Sequence, residues 1–257
     1  MRTWIAVALW LLASPARADV FSDAGVEGAF VLHRVASDTL TVVHPERAGQ
    51  RFLPASTFKI PNALIALETG TVTADRSTLP WDGHVYPRPG WNRDHDLGSA
   101  IRESALWYFQ EIARRVGPAR MKRLVRAFGY GNQKVGVIDR FWIDATLRIT
   151  PLEQVTFLRK LRALELPVEK RHQEEVARLL ELDRRDGRVL RGKTGLGFQD
   201  GRAVGWLVGW VDGEDPAVYA LLVLAPSEKA DDLIPLRRQL VEKLLIAEGV
   251  WSAAPIK

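Results

Sequence analysis

Ser56 stands three residues before Lys59 in Pro54-Ala-Ser-Thr-Phe-Lys-Ile-Pro61. A serine is a weak nucleophile until a neighbouring group takes its proton, and a desolvated, neutral lysine is one group that can do so. The two side chains meet if a helix begins here, because positions i and i+3 share one face, one turn apart. The flanks fit a helix start. Ser56 or Thr57 can cap it, and Asn62-Ala-Leu-Ile-Ala-Leu-Glu-Thr-Gly70 continues apolar and closes on a glycine. With nine serines and nine lysines in 257 residues, one Ser-x-x-Lys arises by chance about one time in three. The pair therefore needs support from the rest of the chain.

Four further fragments could contribute. Ser104-Ala-Leu106 lies on a helical stretch that continues Trp107-Tyr-Phe-Gln-Glu-Ile-Ala-Arg-Arg-Val-Gly117, and Tyr130-Gly-Asn132 falls in a turn. Phe141-Trp142-Ile-Asp144 precedes Leu147-Arg-Ile-Thr-Pro151, and Lys193-Thr-Gly195 ends a strand-like run. Taken singly each has an ordinary reading: a turn, a strand end, or, for Trp142 and Trp206, a core aromatic. Gly195-x-Gly197 reads as a turn between strands and lacks the strand-to-helix context of a dinucleotide site. Histidines 33, 44, 84, 95 and 172 show no metal-ligand spacing, so no metal is expected. The absence of cysteine excludes thiolate metal sites, cysteine nucleophiles, disulfides and lipid attachment through an N-terminal cysteine.

Residues 1–18 carry Arg2, an apolar run from Trp4 to Ala13 and the small-residue sequence Ala16-Arg-Ala18. That is the pattern of an export signal, with too few apolar residues to span a bilayer. The expectation is a periplasmic or secreted protein without a membrane anchor. Removing residues 1–18 takes away two arginines and no acid, lowering the formal charge from +5 to +3. The basic stretch from Arg114 to Arg126 alternates with Ile112, Val116, Leu124 and Val125, and so reads as a solvated helix face. No nucleic-acid partner is expected. Apolar residues at 47% and charged residues at 26% are ordinary for a globular chain able to bury a full core.

The elements that must position these residues come in three blocks. Gly28 to Val35 and Thr39 to His44 read as two strands joined by a turn at Ser37-Asp38. An irregular loop is expected over 76–98, then helices over Ser99 to Val116, Pro118 to Phe128, Pro151 to Leu164 and Val168 to Leu182. The last quarter returns to strands at Arg188–Arg191, Ala203–Val211 and Val218–Leu224, and closes with an amphipathic helix from Asp231 to Ala247. The order predicts an α/β (α+β) fold: a central antiparallel sheet built from both chain ends, flanked by helices, with a helical subdomain inserted. A single domain over 19–257 is expected, its sheet part about 19–55 and 186–257 and its helical part about 56–185.

The five fragments, taken in order and spacing, resemble the motif set of the class D β-lactamases (oxacillinases), over about Gly28 to Gly249. Lys-Thr-Gly accompanies Ser-x-x-Lys in serine enzymes that act on penicillins. The resemblance implies a β-lactamase/transpeptidase-like fold and a serine β-lactamase with a small-molecule β-lactam substrate. It implies Ser56 as the nucleophile that becomes acylated and Lys59 as an N-carboxylated general base. No cofactor is needed beyond the carbon dioxide or bicarbonate that modifies the lysine. It further implies Trp142 as indole donor to the carbamate, and Ser104 with Lys193 as the proton route to the lactam nitrogen. The backbone N–H groups of Ser56 and Leu196 would form the oxyanion hole. Thr194, Gly195, Leu196, Arg237 and Tyr130 would form the substrate-binding set. Arg237 has a second reading, as the partner of a local carboxylate such as Asp232.

One position departs from the resemblance. The family's middle motif reads Ser-x-Val, whereas this chain has Leu106. An extra methylene beside the lysine pocket narrows the room for a carbamate or a deacylating water. Two other functions share parts of the motif set. One is a β-lactam sensor that is acylated and stays so, and the other is a penicillin-binding transpeptidase or carboxypeptidase. A monomer and a homodimer are both compatible with the sequence.

Overall fold

The structure, a computed structural model, describes residues 20–253. Residues 1–18, expected to be an export signal, lie outside the described residues, as do the last four. The sheet has the order β2-β1-β6-β5-β4-β3. Its strands are β1 (Glu27–Arg34), β2 (Thr39–Val43), β3 (Glu181–Arg185), β4 (Arg188–Gln199), β5 (Arg202–Asp212) and β6 (Ala217–Pro226). Every neighbouring pair is antiparallel. The N-terminal hairpin joins the C-terminal strands through β1 and β6, with Glu27 opposite Leu224 and Arg34 opposite Ala217. The expected sheet from both chain ends is therefore present.

Period-2 alternation lets the sheet feed two cores at once. On β5, Trp206, Val208 and Trp210 face the larger core, shared with the helical block. Leu207 and Val211 face a second core. The helices of the block are α1 (Lys59–Glu68), α2 (Leu97–Glu103), α3 (Leu106–Val116), α4 (Pro118–Ala127), α5 (Pro151–Arg162) and α6 (Lys170–Leu179). The terminal helix α7 (Leu233–Ala247) covers the opposite face through Leu233, Leu240, Val241, Leu244 and Leu245. Local chemistry fixes several starts. Thr150 and Glu153 form a reciprocal capping box ahead of α5 with Pro151 in its first turn, and Asp96 with Ser99 does the same for α2.

Three stretches differ from the sequence expectation. The single helix expected over Ser99–Val116 is two helices, broken at Ser104, whose φ of 56° lies in the left-handed region. The helix expected to reach Leu182 stops at Leu179, and Glu181–Arg185 pairs with β4. The Lys-Thr-Gly run and Gly195-x-Gly197 lie inside β4, not at a strand end and a turn. The turn falls at Asp200-Gly201, where both φ angles are positive. Glycine stands at 195 and 197 for room. A Cβ on Gly195 would meet the Pro54 carbonyl at 3.0 Å, and one on Gly197 would meet Leu53 Cδ1 at 2.7 Å. These two glycines bring β4 against the turn that carries Ser56.

Candidate active site

Ser56 sits in a turn of 3-10 helix, Ala55–Phe58, which runs directly into α1 at Lys59. Three residues per turn stack i over i+3, and Lys59 Nζ lies 2.7 Å from Ser56 Oγ. Ala55, just before the serine, has a φ of 47°. A non-glycine residue there costs about 1–2 kcal/mol, and its neighbours hold it in place. Its N–H donates to the Trp142 carbonyl at 3.0 Å, while the Thr57 N–H and hydroxyl both donate to the Pro54 carbonyl.

Lys59 is 1% exposed. Its ammonium lies 5.5 Å from the centre of the Phe109 ring. No carboxylate pairs with it among the described residues. Burial, reinforced by the positive charges of Lys193 and Arg88, holds its pKa well below the ordinary lysine value. A neutral amine at this position can accept the Ser56 proton. Phe58, the preceding residue, stacks on Trp142 with ring centres 5.4 Å apart. Trp142 is fully buried, and its indole N–H has no hydrogen-bond partner among the described residues. A buried donor left unpaired is uncommon and costly.

A second hydroxyl–amine pair lies close enough for its lysine charge to act on Lys59. Ser104, in its left-handed turn between α2 and α3, receives a hydrogen bond of 3.0 Å from Lys193 Nζ on β4. The same ammonium reaches the Thr194 carbonyl at 3.1 Å and its hydroxyl at 3.4 Å. Lys193 is 4% exposed, and burial, with Arg237 and Arg88 nearby, lowers its pKa to about 7. Ser56, Ser104 and Thr194 are half-buried, so the hydroxyls reach the surface while the amines stay behind them.

β3 pairs with β4 only as far as Arg191. From Lys193 onward the other edge of β4 carries no partner strand among the described residues, and the backbone beside Leu196 is free to pair with a ligand. Leu196 turns its side chain to the second core, so its contribution to the site is main-chain. Arg237 reaches from α7 past Gly205 and donates to the Gly195 carbonyl. It makes no ion pair with Asp232, and its Nε is buried without a partner among the described residues. Burial first, then Arg88, lowers its pKa to about 10. A cavity of about 690 Å³ lies elsewhere, between Phe21, Glu27, His44 and Arg47, and holds no hydroxyl–amine pair.

A sequence model of the penicillin binding protein transpeptidase domain matches residues 41–245. The β-lactamase OXA-10 of Pseudomonas aeruginosa is 37% identical over 234 residues, covering 90% of this chain and 87% of that one. The class D β-lactamase of Bacillus subtilis superposes with a TM-score of 0.83 at 37% identity, over 96% of this chain and all of that one. The chain belongs to the class D β-lactamase family. The C-terminal domain of the Bacillus licheniformis BlaR penicillin receptor is also similar, with a TM-score of 0.87 at 32% identity, over 92% of this chain and 96% of that one.

In this class D family member the structure brings Ser56, Lys59, Ser104, Lys193, Thr194, Gly195, Leu196 and Arg237 to one place, with Trp142 behind them. Tyr130, expected in the substrate-binding set, is not brought to the open face. It is 1% exposed, stands edge-on to Phe58 and Phe157, and turns its hydroxyl to Gln154 at 3.4 Å. Gln154 in turn donates to the Thr57 hydroxyl at 2.9 Å, so Tyr130 supports the turn that carries Ser56 from behind. Asn132 does similar work, bonding the Thr146 carbonyl and the Arg148 N–H and so fixing the loop after Trp142. Leu106 is half-buried at the start of α3. Sequence reasoning missed Phe109, the Thr57–Gln154 link and Arg88. Arg88 alone left a signal, an arginine between Pro87 and Pro89 in an aromatic-rich loop.

Proposed function

We propose that the protein hydrolyses the amide of β-lactam rings through an acyl-enzyme on Ser56. The observation that carries this reading is the 2.7 Å contact between Ser56 Oγ and the buried, carboxylate-free Lys59 Nζ. Ser56 Oγ attacks the lactam carbonyl while its proton passes to the Lys59 side chain. The Ser56 and Leu196 N–H groups hold the developing oxyanion, a type of contact worth about 3–4 kcal/mol per donor. The C–N bond breaks, and the lactam nitrogen takes a proton by way of Ser104 and Lys193. The proton taken from Ser56 passes on from Lys59 to replace the one Lys193 gave to the nitrogen. Water then attacks the ester and gives its proton to the freed Lys59 side chain, which returns it to Ser56 Oγ as the acyl C–O bond breaks and the product acid leaves. Thr194 and the Arg237 guanidinium hold the substrate carboxylate.

Carbon dioxide added to the Lys59 amine, with loss of a proton from the nitrogen, would supply a carbamate whose oxygens extend past Nζ and can accept the Ser56 proton and later that of the attacking water. The residues present fit that modification. The amine is disfavoured in its charged form, the surroundings are apolar, and the Trp142 N–H is a buried donor lacking an acceptor. Residues 1–18 are the proposed export signal, removed from a periplasmic or secreted protein. Among the described residues no helix is long and apolar enough to cross a membrane.

The test is intact-protein mass spectrometry after mixing with a penicillin in bicarbonate buffer, followed over time. An adduct on Ser56 that forms and then leaves, with product accumulating, is expected. No adduct overturns the reading. An adduct that forms once and persists supports instead the receptor-like reading, for which the likeness to the BlaR domain is weaker support than the β-lactamase relatives are for hydrolysis.

A further inference from the structure

The loop ahead of α2 carries a cation that the hydrolytic scheme does not use. Arg88 is exposed and has no ion-pair partner among the described residues. Its place is well fixed. It precedes the single 3-10 turn Pro89–Trp91, and its guanidinium lies over the Trp91 ring at 5.5 Å. Prolines at 87 and 89 restrict the backbone on both sides. The Trp91 indole donates to the Glu103 carbonyl at 2.9 Å, and the Trp107 indole donates to the Trp91 carbonyl at 2.9 Å. Tyr86 meets Trp91 edge-on, and the Asn92 side chain clips both the N–H and the carbonyl of Tyr86. Glu103 directly precedes Ser104, so these bonds tie the Arg88 turn to the wall of the site. The neighbouring acid, Glu103, pairs with Arg93. The positive charge of Arg88 is felt at Lys59, Lys193 and Arg237 alike, which places it within electrostatic reach of the reacting centre.

We propose that Arg88 is a specificity-determining residue, a second anion subsite that selects β-lactams whose acyl side chain carries a carboxylate of its own. The proposal rests on the β-lactamase reading above. The ring carboxylate common to penicillins falls to Thr194 and Arg237, on β4 and α7. Arg88, on a separate loop tied through Trp91 to Glu103 beside Ser104, remains for an anion elsewhere on the substrate. A guanidinium held over an indole loses little rotamer freedom on binding and can still present N–H groups to an anion.

The experiment compares two penicillins that differ only in whether the side-chain carboxylate is free or a methyl ester. Each is tested with the wild-type protein, Arg88→Gln and Arg88→Lys, at low and high sodium chloride, after thermal melts confirm that all three fold. The readout is the ratio of kcat/KM for the acid to that for the ester, which cancels any effect common to both substrates. In Arg88→Gln the ratio falls about fivefold, as expected for a partly exposed charge-assisted contact, mainly through KM. Arg88→Lys retains part of it, and in the wild type the ratio shrinks with salt. A ratio unchanged in Arg88→Gln overturns the subsite while leaving the hydrolytic reading intact. Failure of both penicillins to acylate Ser56 overturns both.

Discussion

Trp142→Phe separates a working indole from a merely packed one. The change removes the N–H and keeps an aromatic ring against Phe58, which now lies 5.4 Å from the indole. Two stability effects oppose each other. The smaller ring leaves a cavity costing about 1–2 kcal/mol. Loss of a buried unpaired donor relieves about 1–3 kcal/mol. The melting temperature therefore moves little. The effect on function is one-sided if the N–H serves a carbamate on Lys59. A hydrogen bond to a buried charge contributes about 1.5–3 kcal/mol. At about 1.4 kcal/mol for each factor of ten, the lysine should hold carbon dioxide roughly 10- to 100-fold more weakly. The assay is penicillin hydrolysis titrated with bicarbonate, with acylation and deacylation resolved by rapid mixing. The expected result is a half-saturating bicarbonate concentration raised by that factor, with deacylation slowed more than acylation. An unchanged bicarbonate dependence in a folded Trp142→Phe protein refutes the reasoning and leaves Trp142 as a core residue.

Other perturbations address the two lysines and the strand beside the nucleophile. Lys59→Met should abolish turnover and yet raise the melting temperature, by about 5 °C, because it removes an amine whose charged form the fold disfavours. For Lys193, with a pKa of about 7 in the fold against about 10.4 when unfolded, the unfolded chain binds more protons between those values. Stability should therefore rise with pH across that window, and chemical denaturation of Lys193→Met should lose part of the slope. If Lys193 must be protonated to serve the lactam nitrogen, kcat/KM declines above about pH 7. Removing one of the two cations that lower its pKa, as in Arg237→Gln, should move that limb to higher pH. Gly195→Ala places a Cβ 3.0 Å from the Pro54 carbonyl and 3.2 Å from Thr57 Cγ2. Acylation measured by rapid mixing should fall about tenfold or more as β4 is pushed off the Ser56 turn, while the melting temperature changes by only a few degrees.

Most of the architecture was legible because it is written in periodicity. The continuous apolar runs of β1, β5 and β6, buried on both faces, and the helical spacing of α3 to α5 are local signals, and the motif order pointed to side chains that the structure brings together. What escaped is set by tertiary contact. Ser104 interrupts a stretch whose helical pattern runs unbroken from Ser99 to Val116, and nothing in serine's own preference calls for a φ of 56°. The break positions Ser104 Oγ for Lys193, a partner 89 residues away. Gly195 and Gly197 read as turn residues because glycine has two uses, and only the approach of Leu53 and Pro54 shows which applies. The burial of Tyr130 behind Phe58 depends on helices that the Tyr-Gly-Asn motif does not encode.

The pairing of β1 with β6 has a consequence for how such a protein comes to exist. Glu27 finds Leu224 only after almost the whole chain has been made, and β5 and β6 must be present before the sheet can close. Long-range pairing of this kind makes for slow folding, since loop closure precedes any reward from contacts. The helical block, with Ser56 and Lys59, emerges first, and Lys193 arrives with the last quarter. A chain caught midway carries its nucleophile without its second lysine or its strand edge. If residues 1–18 direct export as proposed, that delay would keep the polypeptide unfolded while it is threaded across a membrane, and chemistry would begin only on the far side.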